Sequence, residues 1–247
     1  MEACLDRATH SQVMRNKVPV IENRFRYSNV HHFWIIGGGK FGLKAANKLS
    51  RANPSNQITI VDREKTVCRQ ISKPGYQMVC MDGIQYLDRY LISAYYPDWI
   101  VPAIPLHVAF EWIRAKLSAL NKLQRIPVPN ELTGELPNPI KGTAGQLYIS
   151  IADFKCPDDC SEPAEICTCT GKPRLMILHE FLKKIQCQDF KSIVIRSHQL
   201  APGVGGYKPE ELFKVLKKIK RTQKPVLLST ACSCHGVMHA FKLSSGL

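Results

Sequence analysis

One hexapeptide constrains this chain more than any other feature. Gly37-Gly38-Gly39-Lys40-Phe41-Gly42 follows the apolar run His32-Phe33-Trp34-Ile35-Ile36 and precedes a helical pattern from Leu43 to Arg51. At such a strand-to-helix junction the three spaced glycines have separate tasks. Gly37 permits the tight turn, Gly39 keeps a side chain away from an approaching pyrophosphate, and Gly42 lets the helix pack closely on the strand. The helix N-terminus then offers unpaired amides and a positive dipole end to phosphate groups. A second, β-branched strand, Ile58-Thr59-Ile60-Val61, leads to Asp62, where a carboxylate accepts a hydrogen bond from a ribose 2′-hydroxyl.

On these residues the stretch from about 31 to 120 resembles NAD(P)-binding Rossmann domains. It is most similar to the regulatory nucleotide-binding domains of potassium-transport systems and, more distantly, to the dehydrogenase domain of siroheme synthases. Both groups share an Ile-Gly-Gly-Gly-x-x-Gly opening, here Ile36 to Gly42, and a second strand ending in Val-Asp, here Val61-Asp62. The resemblance implies a dinucleotide, NAD or NADP, held by Gly37, Gly38, Gly39, Lys40, Phe41 and Gly42, with Asp62 on the ribose. Asp62 favours NAD, because a 2′-phosphate would meet like charge. Arg63 beside it can accommodate that phosphate, which keeps NADP open.

Further strands are expected at Tyr76–Met81 and Trp99–Val101. A helix from about Leu106 would align Leu106, Ala109, Phe110, Ile113, Leu117 and Leu120. Strands alternating with helices imply a parallel sheet with helices on both faces, followed by a second α/β part. The boundaries expected are a polar basic extension over 1–30, the dinucleotide-binding domain over 31–125, a Pro/Gly-rich linker over 126–145 and a Cys-rich part over 146–247. In that last part strands are expected at 146–151, 192–195 and 226–228. One helix would align Leu175, Leu178, Leu182 and Ile185, and another opens at Pro209. His107, at the start of a helix, is a candidate general acid or base, with a hydrogen-bonded structural histidine as the alternative.

Four thiols lie in C-x3-C-x6-C-x-C spacing, Cys156, Cys160, Cys167 and Cys169, and a second group comprises Cys232, Cys234 and His235. Soft donors in tight groups suit zinc or an iron–sulfur cluster, although the spacing matches neither a zinc ribbon nor a ferredoxin run. Both groups follow strands, where α/β sheets gather their ligands, so they are expected to meet near the cofactor crevice. Cys4, Cys68, Cys80 and Cys187 are scattered and read as structural. A second glycine loop, Ala201 to Lys208, lies between a strand and a helix and offers either an anion cradle or a plain connection.

The formal charge is +14, but the basic residues are dispersed without interleaved aromatics, which argues against a nucleic-acid partner. No apolar run approaches the roughly 18–20 residues that span a bilayer, and residues 1–30 hold no signal-peptide stretch. A reducing cytoplasm is the expected compartment. These features together point to an NAD(P)-binding oxidoreductase with a thiolate-held metal. The alternative is a non-catalytic NAD(H)-sensing subunit of a cation-transport system. An electron-transfer or transport protein would be the partner, and a homodimer is compatible with either reading.

Overall fold

The computed structural model describes residues 30–71, 75–118, 123–162, 165–187 and 189–244. The extension expected over 1–30 and Cys4 therefore fall almost wholly outside the described residues.

The apolar runs read from the sequence become the centre of a four-stranded parallel sheet: β1 (His32–Ile36), β2 (Gln57–Asp62), β3 (Tyr76–Cys80) and β4 (Trp99–Pro102), in the order β3-β2-β1-β4. β1 is buried from Phe33 to Ile36, as a strand covered on both faces must be. The crossovers are α1 (Lys40–Ala52), α2 (Lys65–Gln70) and α3 (Gly83–Tyr90). α1 turns Ala45, Ala46 and Leu49 onto the sheet. α3 starts where Asp82 accepts the amides of Ile84 and Gln85 at 2.9 and 3.0 Å. The chain leaves β1 toward β2 on one side and reaches β4 on the other. The order reverses at β1, which opens a crevice beyond its carboxyl end.

After α4 (Val108–Ser118) comes a second sheet, built from β5 (Leu123–Ile126), β6 (Ile140–Lys141), β7 (Leu147–Ser150), β8 (Lys191–Arg196), β11 (Val226–Ala231) and β12 (His235–Leu243). Its order is β6-β7-β12-β11-β8, with β5 also pairing β12. Only β8 and β11 run parallel, so the uniform alternation expected for this half is corrected to a mixed sheet. Helices α5 (Asn130–Glu135), α6 (Leu178–Lys184) and α7 (Pro209–Ile219) and a hairpin of β9 (His198–Ala201) with β10 (Val204–Gly206) complete the chain.

Three expectations change. Residues 126–145 are not a bare linker, since they contain α5 and β6 and bury Val128, Leu132 and Leu136 against the second sheet. Leu106 is 48% exposed and lies ahead of α4. Leu175 is 97% exposed and lies ahead of α6, so the helical spacing of both leucines was coincidental.

The halves share one core. Trp112 and Phe110 of α4, Leu87 of α3, Leu212 and Ile219 of α7, Ile195 of β8 and Phe241 of β12 pack in a single cluster. The hairpin also bonds to the edge of the first sheet, where Ile100 and Tyr207 exchange both backbone hydrogen bonds at 3.0 Å.

Candidate functional site

At the end of β1 the backbone turns at Gly37 with φ +113°, a conformation that favours glycine, and a Cβ there would lie 2.6 Å from the Ala103 carbonyl. A Cβ on Gly42 would fall 1.9 Å from the Gly37 carbonyl, so α1 can approach the turn only because that residue has no side chain. Gly38 is backed by Val67 and Ile71, which a Cβ would meet at 2.9 and 3.0 Å. Gly39 differs from all three. A Cβ there would meet nothing within 4 Å, and as N-cap of the 13-residue α1 it supplies no side-chain hydrogen bond. Packing does not demand a glycine at 39, and its backbone lies bare.

Asp62, at the end of β2, is fastened to this turn. Its Oδ2 accepts the Gly38 amide at 2.6 Å and its Oδ1 accepts the Glu64 amide at 2.8 Å. Each oxygen keeps a further lone pair for a hydroxyl. Arg63 faces outward and pairs with Glu64 at 3.4 Å. Lys40 and Phe41 form the outer lip, with Phe41 56% exposed and the Lys40 ammonium 5.6 Å from its ring centroid.

That lip touches the cysteine-rich loop. Lys40 and Lys44 lie 3.6 and 3.9 Å from the Asp158 carboxylate, and Lys44 also donates to the Asp158 carbonyl at 3.1 Å. Beyond it opens a cavity of about 950 Å³, reached by Phe41 and lined by Cys156, Cys160, Cys232, Cys234 and His235. Cys156 and Cys160 of the first group thus face one space with Cys232, Cys234 and His235, whereas Cys167 and Cys169 do not line it. Cys232 and Cys234 occupy the tight turn between β11 and β12, an antiparallel connection invisible to a reading that ended its last strand at Leu228.

Burial pushes the Cys156 thiol upward, aided by Cys160, Cys234, Cys169 and Cys167. Burial, then Glu162, raises Cys232 to about 12. Burial also raises Cys234, against the pull of Arg174, whose guanidinium donates to its sulfur. Cys167 moves down through hydrogen bonds with Thr170, whereas desolvation and Cys167 raise Cys169. The Cys160 sulfur accepts the Glu162 amide at 3.4 Å, and the Cys232 sulfur accepts those of Cys234 and His235 at 3.4 and 3.3 Å. Among the described residues no three His, Cys, Asp or Glu side chains are gathered into a set that could hold a metal ion. Glu162, which accepts the Ser233 amide at 2.5 Å, and Arg174 join the cysteine loop to the β11–β12 turn. Neither stands out in sequence.

His107 lies elsewhere. It is 5% exposed, with Nδ1 3.0 Å from Nδ1 of His239 and Nε2 2.9 Å from the Thr230 hydroxyl. Burial, then His239, pushes its pKa well below the ordinary value. Phe110 stacks on His239 with centroids 4.0 Å apart. This pair is enclosed between α4 and the second sheet.

The second glycine loop is also spoken for by protein. It is the β9–β10 turn, where Gly203 (φ +69°) donates to the Cys160 carbonyl at 2.9 Å and would place a Cβ 1.9 Å from the Asp158 carbonyl. Gly203 admits the cysteine loop, while Gly205 sits against the Ser197 hydroxyl and Gly206 against Leu200 and the Ile100 carbonyl.

Two family models match this chain. One, described as a TrkA-N domain, covers residues 33–86, and the other, described as "Uncharacterized protein, C-terminal domain", covers residues 109–244. An "Uncharacterized protein" of Archaeoglobus fulgidus is 32% identical over 225 residues, which is 84% of this chain and 98% of that one. No solved structure matches. The first match and the parallel sheet make the N-terminal part a Rossmann-like domain of the NAD-binding kind. No helix among the described residues is long and apolar enough to cross a membrane. With one family model filling more than half of its length and an archaeal relative aligned along most of it, the chain belongs to the family described by that C-terminal domain.

Proposed function

We propose that this protein binds NAD(H), with the diphosphate on the backbone of Gly37 to Gly42 and the adenosine ribose on Asp62. The observation that carries this reading is the bare surface at Gly39, a glycine with no packing reason to be one. The unfilled amides of α1 and the Asp62 carboxylate, held 2.6 Å from Gly38, complete the cradle. Lys40 and Phe41 guard its entrance, and Arg63 leaves room for NADP(H).

The adjoining cavity supports a redox role for the bound dinucleotide. Thiolates of Cys156, Cys160, Cys167, Cys169, Cys232 and Cys234, with His235, are donors of the right softness for zinc or an iron–sulfur cluster. Backbone amides already fix the sulfurs of Cys160 and Cys232 in place. Loading would have to draw the two groups together. A bound cluster would supply a one-electron redox centre, whereas zinc would supply a fixed charge.

A second reading, a non-catalytic NAD(H) sensor, is favoured by the TrkA-N match and by the enclosure of His107, which leaves that histidine out of any chemistry at the crevice. Equilibrium titration with NADH and NADPH tests both readings at their common point. Saturable NADH binding weakened by Asp62→Ala supports them, and no binding by a folded protein removes them. Steady NADH oxidation with an artificial electron acceptor, together with metal content that falls in Cys156→Ser, selects the redox reading. Binding without turnover selects the sensor.

A further inference from the structure

Cys68 and Cys80 do not line the cysteine cavity and have no place in the function above. Their spacing in sequence suggested two unrelated structural thiols. The fold brings them together. Cys80 ends β3 directly beside Asp62 in the parallel register, and Cys68 sits on α2, the helix that follows Asp62. The Cys68 sulfur donates to the Asp62 carbonyl at 3.3 Å, and the Cys80 sulfur lies 4.0 Å from the next carbonyl, that of Arg63. The two sulfurs thus sit on the carbonyls of consecutive residues, Asp62 and Arg63. Cys80 is exposed and Cys68 half-buried.

Their surroundings tie them to the crevice. Val67, the neighbour of Cys68, is one of the two side chains that back Gly38 of the glycine turn. Asp62, whose carbonyl holds Cys68, uses its carboxylate to hold the Gly38 amide. A change at this pair therefore reaches both parts of the phosphate and ribose cradle through one residue each.

We propose that Cys68 and Cys80 form a reversible dithiol–disulfide site that weakens dinucleotide binding when oxidised. This rests on the NAD(H) reading above for its effect, but not for the bond itself. With a hydroperoxide as oxidant, the Cys80 thiolate attacks the peroxide oxygen. The O–O bond breaks, one water leaves after protonation, and Cys80 becomes a sulfenic acid. The Cys68 sulfur then attacks the Cys80 sulfur and expels hydroxide, which takes the Cys68 proton as a second water. The two thiols lose two electrons, and hydrogen peroxide is reduced to two waters. Closing the bond draws the sulfurs to about 2.05 Å and takes Cys68 off the Asp62 carbonyl. α2 moves with it, and so does the backing of Gly38.

The test uses the full chain, reduced and then treated with hydrogen peroxide. Trypsin separates the two cysteines, since it cuts after Lys65, Arg69 and Arg89, and Lys73 is shielded by Pro74. The non-reduced digest should contain residues 66–69 joined to residues 70–89, lighter than the separate peptides by two hydrogens. Cys68→Ser and Cys80→Ser should both lose that species. NADH affinity of the wild-type protein should fall about tenfold on oxidation and recover with a dithiol reductant, in the range usual for coupled sites. The Cys80→Ser protein, treated identically, should bind NADH equally before and after peroxide, which controls for the cavity thiols. A folded protein that gives no joined peptide would overturn the proposal, as would a joined peptide with unchanged NADH affinity. A reduced protein that binds no NADH would instead overturn the dinucleotide reading, with the joined peptide still reporting on the pair.

Discussion

At the scale of single residues the glycine turn separates packing from binding. Gly39→Ala places its methyl in open space, so stability should fall by less than about 1 kcal/mol while NADH binding is lost. Gly42→Ala drives a methyl into the Gly37 carbonyl and should cost about 3 kcal/mol, seen in denaturant unfolding with or without nucleotide. Asp62→Ala should weaken NADH binding about 10- to 100-fold, the worth of hydrogen bonds to a charged group. This much of the site was legible, because the glycine spacing and the terminal carboxylate are local signals. The partners of His107 were not. Nothing near His107 in the chain announces His239 or Thr230, which arrive on strands paired more than a hundred residues later. That burial has a measurable consequence. His239 titrates near 6.5 when unfolded, but burial, helped by Arg125, holds it at about 4 in the fold. Between those values the unfolded chain carries the extra proton. Stability present above pH 6.5 is therefore lost as pH falls toward 4, by about 2 kcal/mol at pH 5 from this residue. Urea unfolding at pH 7.5 and pH 5 checks it, and a flat profile would contradict it.

At the scale of elements, the strands found from sequence are those that are apolar throughout. β1, β2 and β11 are buried on both faces and read as continuous runs. β12 escaped notice because its residues, His235-Gly236-Val237-Met238-His239-Ala240-Phe241-Lys242-Leu243, mix histidine and lysine into a strand that lies inside the second sheet. The β9–β10 hairpin escaped because its glycines read as an anion cradle or a plain connection, whereas Gly203 and Gly206 allow close approach to the Asp158 and Ile100 carbonyls. Glu111 of α4 shows how such elements are joined. It is 7% exposed and holds Arg114 at 2.7 Å and Arg125 of β5 at 2.6 Å, with the Arg125 guanidinium 5.0 Å from the Phe110 ring. Arg125→Ala leaves a buried carboxylate with one exposed partner and should cost about 3 kcal/mol. Glu111→Gln in the same background should recover part of that loss, and a double-mutant cycle on urea unfolding measures the recovery.

At the scale of the whole molecule, the division expected near residues 126–145 gives way to two sheets that share one hydrophobic cluster around Trp112 and Tyr207. Sequence periodicity reports which face of an element is buried, not which neighbour covers it. A common core implies a common fate, so the first and second sheets should unfold in one transition rather than two. The glycine turn belongs to the first sheet, and the cysteine cavity is lined by residues of the second half with Phe41 of α1 at its edge. NADH at about a hundred times its dissociation constant should therefore stabilise both sheets together, by about 2.7 kcal/mol, which is roughly 5–10 °C in Tm for a chain of this size. Calorimetric titration of the reduced full chain with NADH, beside Gly39→Ala under the same conditions, measures the proposed contact most directly. One saturable binding event in the wild-type chain and none in the equally stable variant is the result predicted. Absence of heat in both, or equal affinity in both, would contradict a dinucleotide resting on the bare backbone of Gly39.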